Sequence, residues 1–242
     1  MTRIIGWLAL GAMLSFGTAA RAAQADDHAA APASRVAPAA SDARYAHVRL
    51  YERWAPTVQG GASAAQCNGG AHGEIVTGFG DWSRTIRMAT NGAPGGCIMQ
   101  LAVIDPEHSL QDWQPITRFT PTGDPGQCGN AGINRVPVVR TLEQARAQAS
   151  SIVVDTDNRP GGCELQFATN VPGPRIGVWF DTERSRGPWD NGCQMTGQQA
   201  AAVNQPATIH IDTDDARSAC LFQMGLFPDR DPLKPHAKVS YR

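Results

Sequence analysis

Three glutamines recur at one position of a repeated sequence pattern. Gln100, Gln166 and Gln223 each end the pattern I-x3-T-x6-C-x2-Q, which occurs without a gap in 86–100, 152–166 and 209–223. A glutamine side chain has two hydrogen-bond donors and an acceptor, so it can bind a turn backbone or a sugar hydroxyl. A residue present in every copy suits a structural bond to the adjacent turn, and ligand contact is the alternative.

Tryptophan side chains are the second group with chemistry for ligand binding. An indole stacks on a sugar ring through its apolar face and polar edge, and it also fills protein cores. Besides Trp7, the chain has tryptophans at positions 54, 82, 113, 179 and 189, against 3 Tyr and 7 Phe. Trp113 and Trp179 join the three glutamines as the predicted ligand-binding residues, with core packing as the alternative.

Acidic residues cluster in the turns of the second and third copies. Asp155 and Asp157 flank the second turn, and Asp212, Asp214 and Asp215 flank the third. Such carboxylates could hold Ca²⁺, which takes about six to eight oxygen ligands, or hydrolyse a glycosidic bond. Aspartates at turns commonly bond their own backbone, however, and no EF-hand pattern is present. Backbone bonding is therefore favoured, and no metal site is predicted.

His210 has an acidic neighbour, since Asp212 lies two residues further along the same strand face. Such a pair could act as a general base. Arg87 and Val153 occupy the matching position in the other copies, however, and the chain has no G-x-S-x-G, H-E-x-x-H or phosphate-binding loop. The sequence therefore predicts an ordinary outward-facing histidine, no catalytic residue and no cofactor.

The first 25 residues have the layout of a secretory signal peptide. Arg3 precedes an apolar run over 4–16, and an A-x-A cleavage site follows at 20–22 or 23–25. That apolar run is too short for a stable membrane anchor. Residues 26–43 are rich in Ala, Pro and Ser and are predicted to form a disordered tether. The mature chain is therefore expected in a secreted or periplasmic location.

Six cysteines follow the same repeats. An even number in an exported chain favours disulfides over thiol or zinc chemistry. Pairing within each copy closes a loop that is worth roughly 3.6 kcal/mol in the chain-entropy model. The favoured pairs are Cys67–Cys97, Cys128–Cys163 and Cys193–Cys220, and the alternative pairs are Cys97–Cys128, Cys163–Cys193 and Cys67–Cys220.

The repeated pattern is typical of β structure. Apolar residues alternate in 86–90 and 209–213, and turns rich in Gly, Pro, Asn and Asp follow. In the next strand Cys97, Met99, Leu101 and Val103 share one face, which places the glutamines on the opposite face. Further strands are predicted at 47–51, 116–119, 176–180 and 237–241, and a helical element at 142–149.

Residues 44–242 are thus predicted to form a single all-β domain of three disulfide-stapled repeats, each about 60 residues long. About twelve strands in three repeats suit a β-trefoil-like fold, with a β-sandwich as the alternative. No segment after residue 25 reaches a membrane-spanning length. Without residues 1–25 the chain has 19 cations and 22 anions, so a nucleic-acid partner is not expected.

Export, repetition, tryptophan content and the missing catalytic pattern together favour a binding protein over an enzyme. The expected partner is a carbohydrate or another polymer of the cell surface, bound through repeated sites. A secreted glycoside or ester hydrolase with one active repeat is the first alternative. An envelope protein-interaction or inhibitor domain is the second.

Overall fold

The computed structural model describes residues 43–57, 67, 73–89, 95–123, 128–129, 131–155, 161–183, 193, 197–212 and 219–229. The predicted signal peptide (1–25), nearly all of the tether (26–43), the strand predicted at 237–241 and most of the acidic turns lie outside these residues. In the part that is described, no helix is both long enough and apolar enough to cross a membrane.

Thirteen strands, most of them rich in apolar and β-branched residues, make up most of the described chain. The first unit has β1 (Arg49–Pro56), β2 (Gly73–Gly78), β3 (Ile86–Ala89) and β4 (Gly96–Ile104). The second has β5 (Pro115–Pro121), β6 (Gly132–Arg135), β8 (Ser150–Asp155) and β9 (Gly162–Thr169), with β7 (Val138–Val139) and the helix α1 (Leu142–Gln148) between β6 and β8. The third has β10 (Arg175–Thr182), β11 (Gly197–Ala201), β12 (Ala207–Asp212) and β13 (Ala219–Phe227).

The three units pair their strands by the same scheme. In each unit the first strand lies between the second and fourth strands and runs antiparallel to both. The fourth strand also pairs with the third strand of another unit: β4 with β8, β9 with β12, and β13 with β3. The resulting sheets are sheet 1 (β2, β1, β4, β8, and β7 beside β4), sheet 2 (β6, β5, β9, β12) and sheet 3 (β11, β10, β13, β3).

Alternate residues of all three sheets point into one apolar core, as the two-residue period of a strand requires. On β4 the inward residues are Cys97, Met99, Leu101 and Val103, which is the face predicted from the sequence. The space between the sheets is almost completely filled, since the cavity there has a volume of about 10 Å³. The all-β class is thus confirmed, whereas the β-trefoil form stays a prediction.

Three buried disulfides each join a residue near the start of a fourth strand to a cysteine outside the strands. The pairs are Cys67–Cys97, Cys128–Cys163 and Cys193–Cys220, with Cα–Cα distances of 5.1, 5.6 and 4.8 Å. This is the pairing within units that the sequence favours. Disulfides of this kind persist in oxidising compartments, so they fit a location outside the cytoplasm.

The helix α1 covers part of the outer face of sheet 1. It begins after Thr141, whose hydroxyl accepts from the backbone N–H of Gln144 while the Gln144 side chain accepts from the backbone of Thr141. This reciprocal capping satisfies backbone donors that a helix start leaves unpaired. Ala145 is fully buried against Tyr51 and Ala102, so the helical element predicted at 142–149 is confirmed and covers the outer face of sheet 1 around these two residues.

Candidate functional site

The repeated glutamines lie on the outer faces of the three sheets, at the same register position of the fourth strand. Each sits in register with a hydroxyl residue at the start of the neighbouring third strand, or just before it. Gln100 Nε2 donates to Ser151 Oγ over 3.3 Å, and Gln223 Nε2 donates to Thr85 Oγ1 over 2.8 Å. Each of these bonds joins segments of two different units within one sheet. The glutamines of sheets 1 and 3 therefore have a structural role in linking neighbouring units.

Gln166 of sheet 2 forms a different bond. Its register neighbour is Thr208, but its Nε2 donates to Glu164 Oε1 over 2.8 Å. The other oxygen of this carboxylate, Oε2, lies 3.4 Å from His210 Nδ1. The side chains of Gln166, Glu164 and His210 therefore form one polar network on the outer face of sheet 2, and all three are half-buried.

The outer face of sheet 2 is open across the described strands. Its outward residues are half-buried or exposed, and those with the greatest exposure are Arg118, Ile133 and Arg135. Ile133 is 70% exposed, the highest value among the described large apolar residues. One cross-strand row of this face runs from Ile133 through Arg118 and Gln166 to Thr208. The face thus combines guanidinium groups, hydrogen-bonding side chains and an exposed apolar group.

Sheet 3 has no comparable open face. All nine residues of β13 are buried, including outward-pointing Gln223 at 3% exposure. The ring of Trp82 packs on Phe227 with a centroid distance of 4.7 Å, above the paired glycines Gly177 and Gly225. An added Cβ on Gly177 would lie 2.9 Å from Trp82 Cη2, so the glycine makes room for the indole.

The two tryptophans predicted to contact a ligand are buried. Trp113 is 3% exposed within the core, and its Nε1 donates to the carbonyl oxygen of Pro174 over 3.0 Å. Trp179 is 7% exposed and pairs in register with Gln223 on sheet 3. In this conformation neither indole presents a free ring face on which a sugar could stack, and neither lies on sheet 2.

A histidine and a serine meet a buried aspartate at one end of sheet 1. His47 Nε2 lies 3.0 Å from both Asp105 Oδ1 and Ser109 Oγ, and Ser109 Oγ lies 3.2 Å from the same aspartate oxygen. The His47 Nδ1 atom lies 3.3 Å from Glu107 Oε2. Ser109 Oγ therefore has both His47 Nε2 and Asp105 Oδ1 as hydrogen-bond partners.

The same cluster satisfies Asp105 in its buried position. Burial alone would raise the pKa of this carboxyl. Hydrogen bonds from the backbone of Leu110 and Ser109 and from the side chains of His47 and Ser109 outweigh it and hold the pKa below its usual value. The cluster stabilises the turn after β4. Sequence reasoning missed it because His47 and Asp105 lie 58 residues apart in no recognisable motif.

A second buried carboxylate lies on the inner face of β1. Glu52 is 0% exposed, stands between inward-pointing Leu50 and Trp54, and has an Oε1 atom with no hydrogen-bond partner among the described residues. Burial raises the pKa of Glu52 to about 7, against the opposing effects of hydrogen bonds from Trp54 and Ser83 and the charge of Arg84. Glu52 therefore lies on the core side of sheet 1, not on an outer face.

Metal-binding geometry is not present in the described residues, where no three His, Cys, Asp or Glu side chains converge in a way that could hold an ion. The aspartate turns considered above fall mainly outside these residues. No protein-family model, curated protein or solved structure matches this chain. Its function must therefore be inferred from its own surface chemistry, and the open face of sheet 2 is the strongest candidate site.

Proposed function

We propose that this chain is an exported binding protein and that the outer face of sheet 2 binds a carbohydrate polymer of the cell surface. The observation that carries the proposal is the half-buried Gln166–Glu164–His210 network on a face that no other described element covers. The equivalent glutamines of the other two sheets bond to hydroxyl groups of the protein itself. Secreted and periplasmic locations both suit this function.

The groups on this face suit sugar recognition. Sugars present adjacent hydroxyls that both donate and accept, and the network offers amide, carboxylate and imidazole groups that can do the same. Its side chains already hold one another in place, which lowers the entropy lost on binding. Exposed Ile133, in the same cross-strand row as Gln166, offers apolar surface for the C–H face of a sugar ring.

Binding of the oxidised mature protein to a panel of glycans and envelope polymers tests the proposal. Surface-immobilised protein avoids reliance on tryptophan fluorescence, since Trp54, Trp113 and Trp179 are buried. The Gln166→Ala/His210→Ala variant is expected to weaken binding at least tenfold, the loss of about one charged hydrogen bond. Gln100→Ala is the matched control, because it removes the equivalent side chain from sheet 1.

Two results would contradict the proposal. The first is that no polymer of the panel binds, which would move attention to protein partners. The second is equal weakening by Gln100→Ala and by the sheet 2 variant, which would show that the effect comes from loss of sheet structure. A saturable affinity that only the sheet 2 variant reduces would support the proposal.

A hydrolase is the second candidate, favoured by the contact between His210 and Glu164. An imidazole and a carboxylate at 3.4 Å can exchange a proton with a bound substrate. Release of reducing ends from each polymer that binds tests it, with His210→Gln as the variant. Binding with no release of reducing ends at every pH tested between 5 and 8 would support the binding function and exclude hydrolysis of that polymer.

A further inference from the structure

Two arginines on the open face of sheet 2 have no ionic partner among the described residues. Arg118 on β5 and Arg135 on β6 are both exposed, and no ion pair or side-chain hydrogen bond within the described part of the chain engages either guanidinium. The register pairs Arg118 with Ile133 and Arg135 with Ile116, so the arginines are diagonal neighbours. Diagonal positions of antiparallel strands lie about 7–8 Å apart, within reach of one ligand.

Sheet 1 has an arginine at the same register position, but an acid lies beside it in the sheet. Arg53 pairs with Gln100 on one side, as Arg118 pairs with Gln166, and with Glu74 on the other. The Glu74 carboxylate also accepts from Arg146 of α1, and the charges of Arg146 and Arg53 both favour its ionised form and lower the pKa. In sheet 2 the position of Glu74 is occupied by Ile133, so this acid is absent there.

Sheet 3 carries no charge at this position at all. The residue in register with Gln223 is Trp179, and it is buried. Among the three equivalent positions, only that of sheet 2 combines a cation, exposure and no acid in the register position beside it. The same face also has Glu164, whose carboxylate contacts His210, and Asp212 ends β12 two residues beyond that histidine.

We propose that the polymer bound by sheet 2 is an acidic polysaccharide, and that Arg118 and Arg135 bind its carboxylate groups. This inference rests on the proposed function and specifies its ligand. A guanidinium binds a carboxylate through two parallel hydrogen bonds, which gives geometric selectivity as well as charge. The Gln166–Glu164–His210 network then contacts hydroxyls of the same chain. The two neighbouring guanidiniums form a local cationic patch on a chain whose mature form is expected to have a net negative charge.

The test compares polymers that differ in charge alone. Polygalacturonate and its fully methyl-esterified form share a backbone, and the ester removes each carboxylate. We expect the protein to bind polygalacturonate at least tenfold more tightly than the ester at 50 mM salt, and to lose affinity as salt rises. Dextran sulfate and dextran form a second pair that distinguishes carboxylate from sulfate recognition.

The variants separate the two arginines from general charge effects. Arg118→Gln/Arg135→Gln is expected to reduce the affinity for polygalacturonate about tenfold or more and to remove most of its salt dependence. Arg53→Gln, which changes the arginine of sheet 1 with an acid beside it, is expected to leave both unchanged. All three positions are exposed, so we expect each variant to keep the fold. Urea unfolding of each variant measures this.

The outcomes distinguish failure of the acidic-ligand proposal from failure of the glycan-binding proposal. Equal affinity for the charged and esterified polymers, unaffected by the arginine variant, would overturn the acidic ligand and leave the glycan-binding function in place. No affinity for any polysaccharide would overturn both. Equal affinity for a single-stranded oligonucleotide and for polygalacturonate would show general polyanion binding and overturn the assignment to a polysaccharide. A preference for dextran sulfate over polygalacturonate would overturn the carboxylate assignment.

Discussion

Trp54 donates its indole N–H to Glu52 across 3.2 Å, and both side chains point inward from β1. The indole is one of the largest fully buried groups of the protein, and the carboxylate beside it is equally inaccessible. The equivalent residues on the first strands of the other units are Thr117 and Val178, which carry no charge. An acid is therefore placed where the rest of the molecule uses neutral side chains.

Glu52 should make the protein less stable as the pH rises. Its folded pKa is about 7, against 4.5 for the unstructured side chain. Between these values the unfolded chain has released a proton that the folded chain still holds, so stability declines across pH 4.5–7 by about 3 kcal/mol. Glu52→Gln is expected to abolish this decline and to exceed the parent in stability at pH 8. Urea unfolding at pH 4, 6 and 8 measures it, and an unchanged decline in Glu52→Gln would contradict the assignment.

Asp105, in contrast to Glu52, should make the protein more stable as the pH rises from about 3 to 7. Its pKa is lowered in the fold, so its contribution is complete above the unfolded value and is lost as the pH falls below about 4. Asp105→Asn is expected to lower the free energy of unfolding by about 1–3 kcal/mol at pH 7 and by less at pH 3. Thermal unfolding at both values checks this. Glu107→Gln, which changes a largely exposed carboxylate near the same histidine, serves as the control.

Gly225 is expected to tolerate no side chain. An added Cβ would lie 2.2 Å from the backbone oxygen of Asp81, and backbone cannot move aside as a flexible side chain can. Gly225→Ala should therefore cost about 1–3 kcal/mol of stability. Gly197→Ala, where the nearest atom is 3.7 Å away, should change stability by less than about 1 kcal/mol. Similar unfolding midpoints for the two variants would refute this account of the close approach between Gly225 and the Asp81 backbone.

The repeated glutamines should separate into structural and surface roles. Gln223→Ala removes the buried bond to Thr85, and we expect a loss of about 1 kcal/mol in unfolding free energy without weaker glycan binding. Gln166→Ala should leave stability within about 0.5 kcal/mol of the parent and weaken binding. Chemical unfolding gives the unfolding free energy of each variant, and glycan titration gives the affinity of each. A loss of binding in Gln223→Ala with no loss in Gln166→Ala would reverse the assignment.

Trp113 should matter for the core and not for the ligand. Trp113→Phe keeps most of the apolar volume but leaves the Pro174 carbonyl without its donor, which should cost about 1–3 kcal/mol. Affinity for any polymer that the parent binds should stay unchanged at a temperature where the variant is folded. Weaker binding by this variant would instead favour the ligand contact predicted from the sequence.

The sequence carries the local part of this structure. Cysteine and apolar residues at alternate positions predict the inward face of β4, and the spacing of cysteines favours the observed disulfides. Each glutamine lies three residues after an inward cysteine, an odd offset, and therefore falls on the outer face as predicted. These features depend on the period of a single strand and on loops of about 30 residues, so they can be read without knowing the sheet order.

The candidate site depends on contacts between distant segments and is less predictable. Nothing in the sequence of 142–148 indicates that this helix lies on sheet 1 and leaves sheet 2 open. Gln166 resembles its two counterparts in sequence, and only the neighbouring Glu164 distinguishes its bonding. The Leu50–Glu52–Trp54 alternation does place an acid on an apolar face, and this pattern is the sequence signal for a buried carboxylate. The burial of Trp113 shows the ordinary result for an indole near apolar strands.

The pairing of β13 with β3 has a consequence for how this chain can be divided. Each sheet takes three strands from one unit and one strand, or two in sheet 1, from another, so deletion of any unit leaves one strand without its partner and exposes the edge of another. Fragments with two units are therefore expected to associate through those edges rather than to behave as smaller monomers. New termini placed between units, with the old ones joined by a linker, would preserve every strand pair. The fold is therefore expected to tolerate circular permutation between units but not the deletion of a unit.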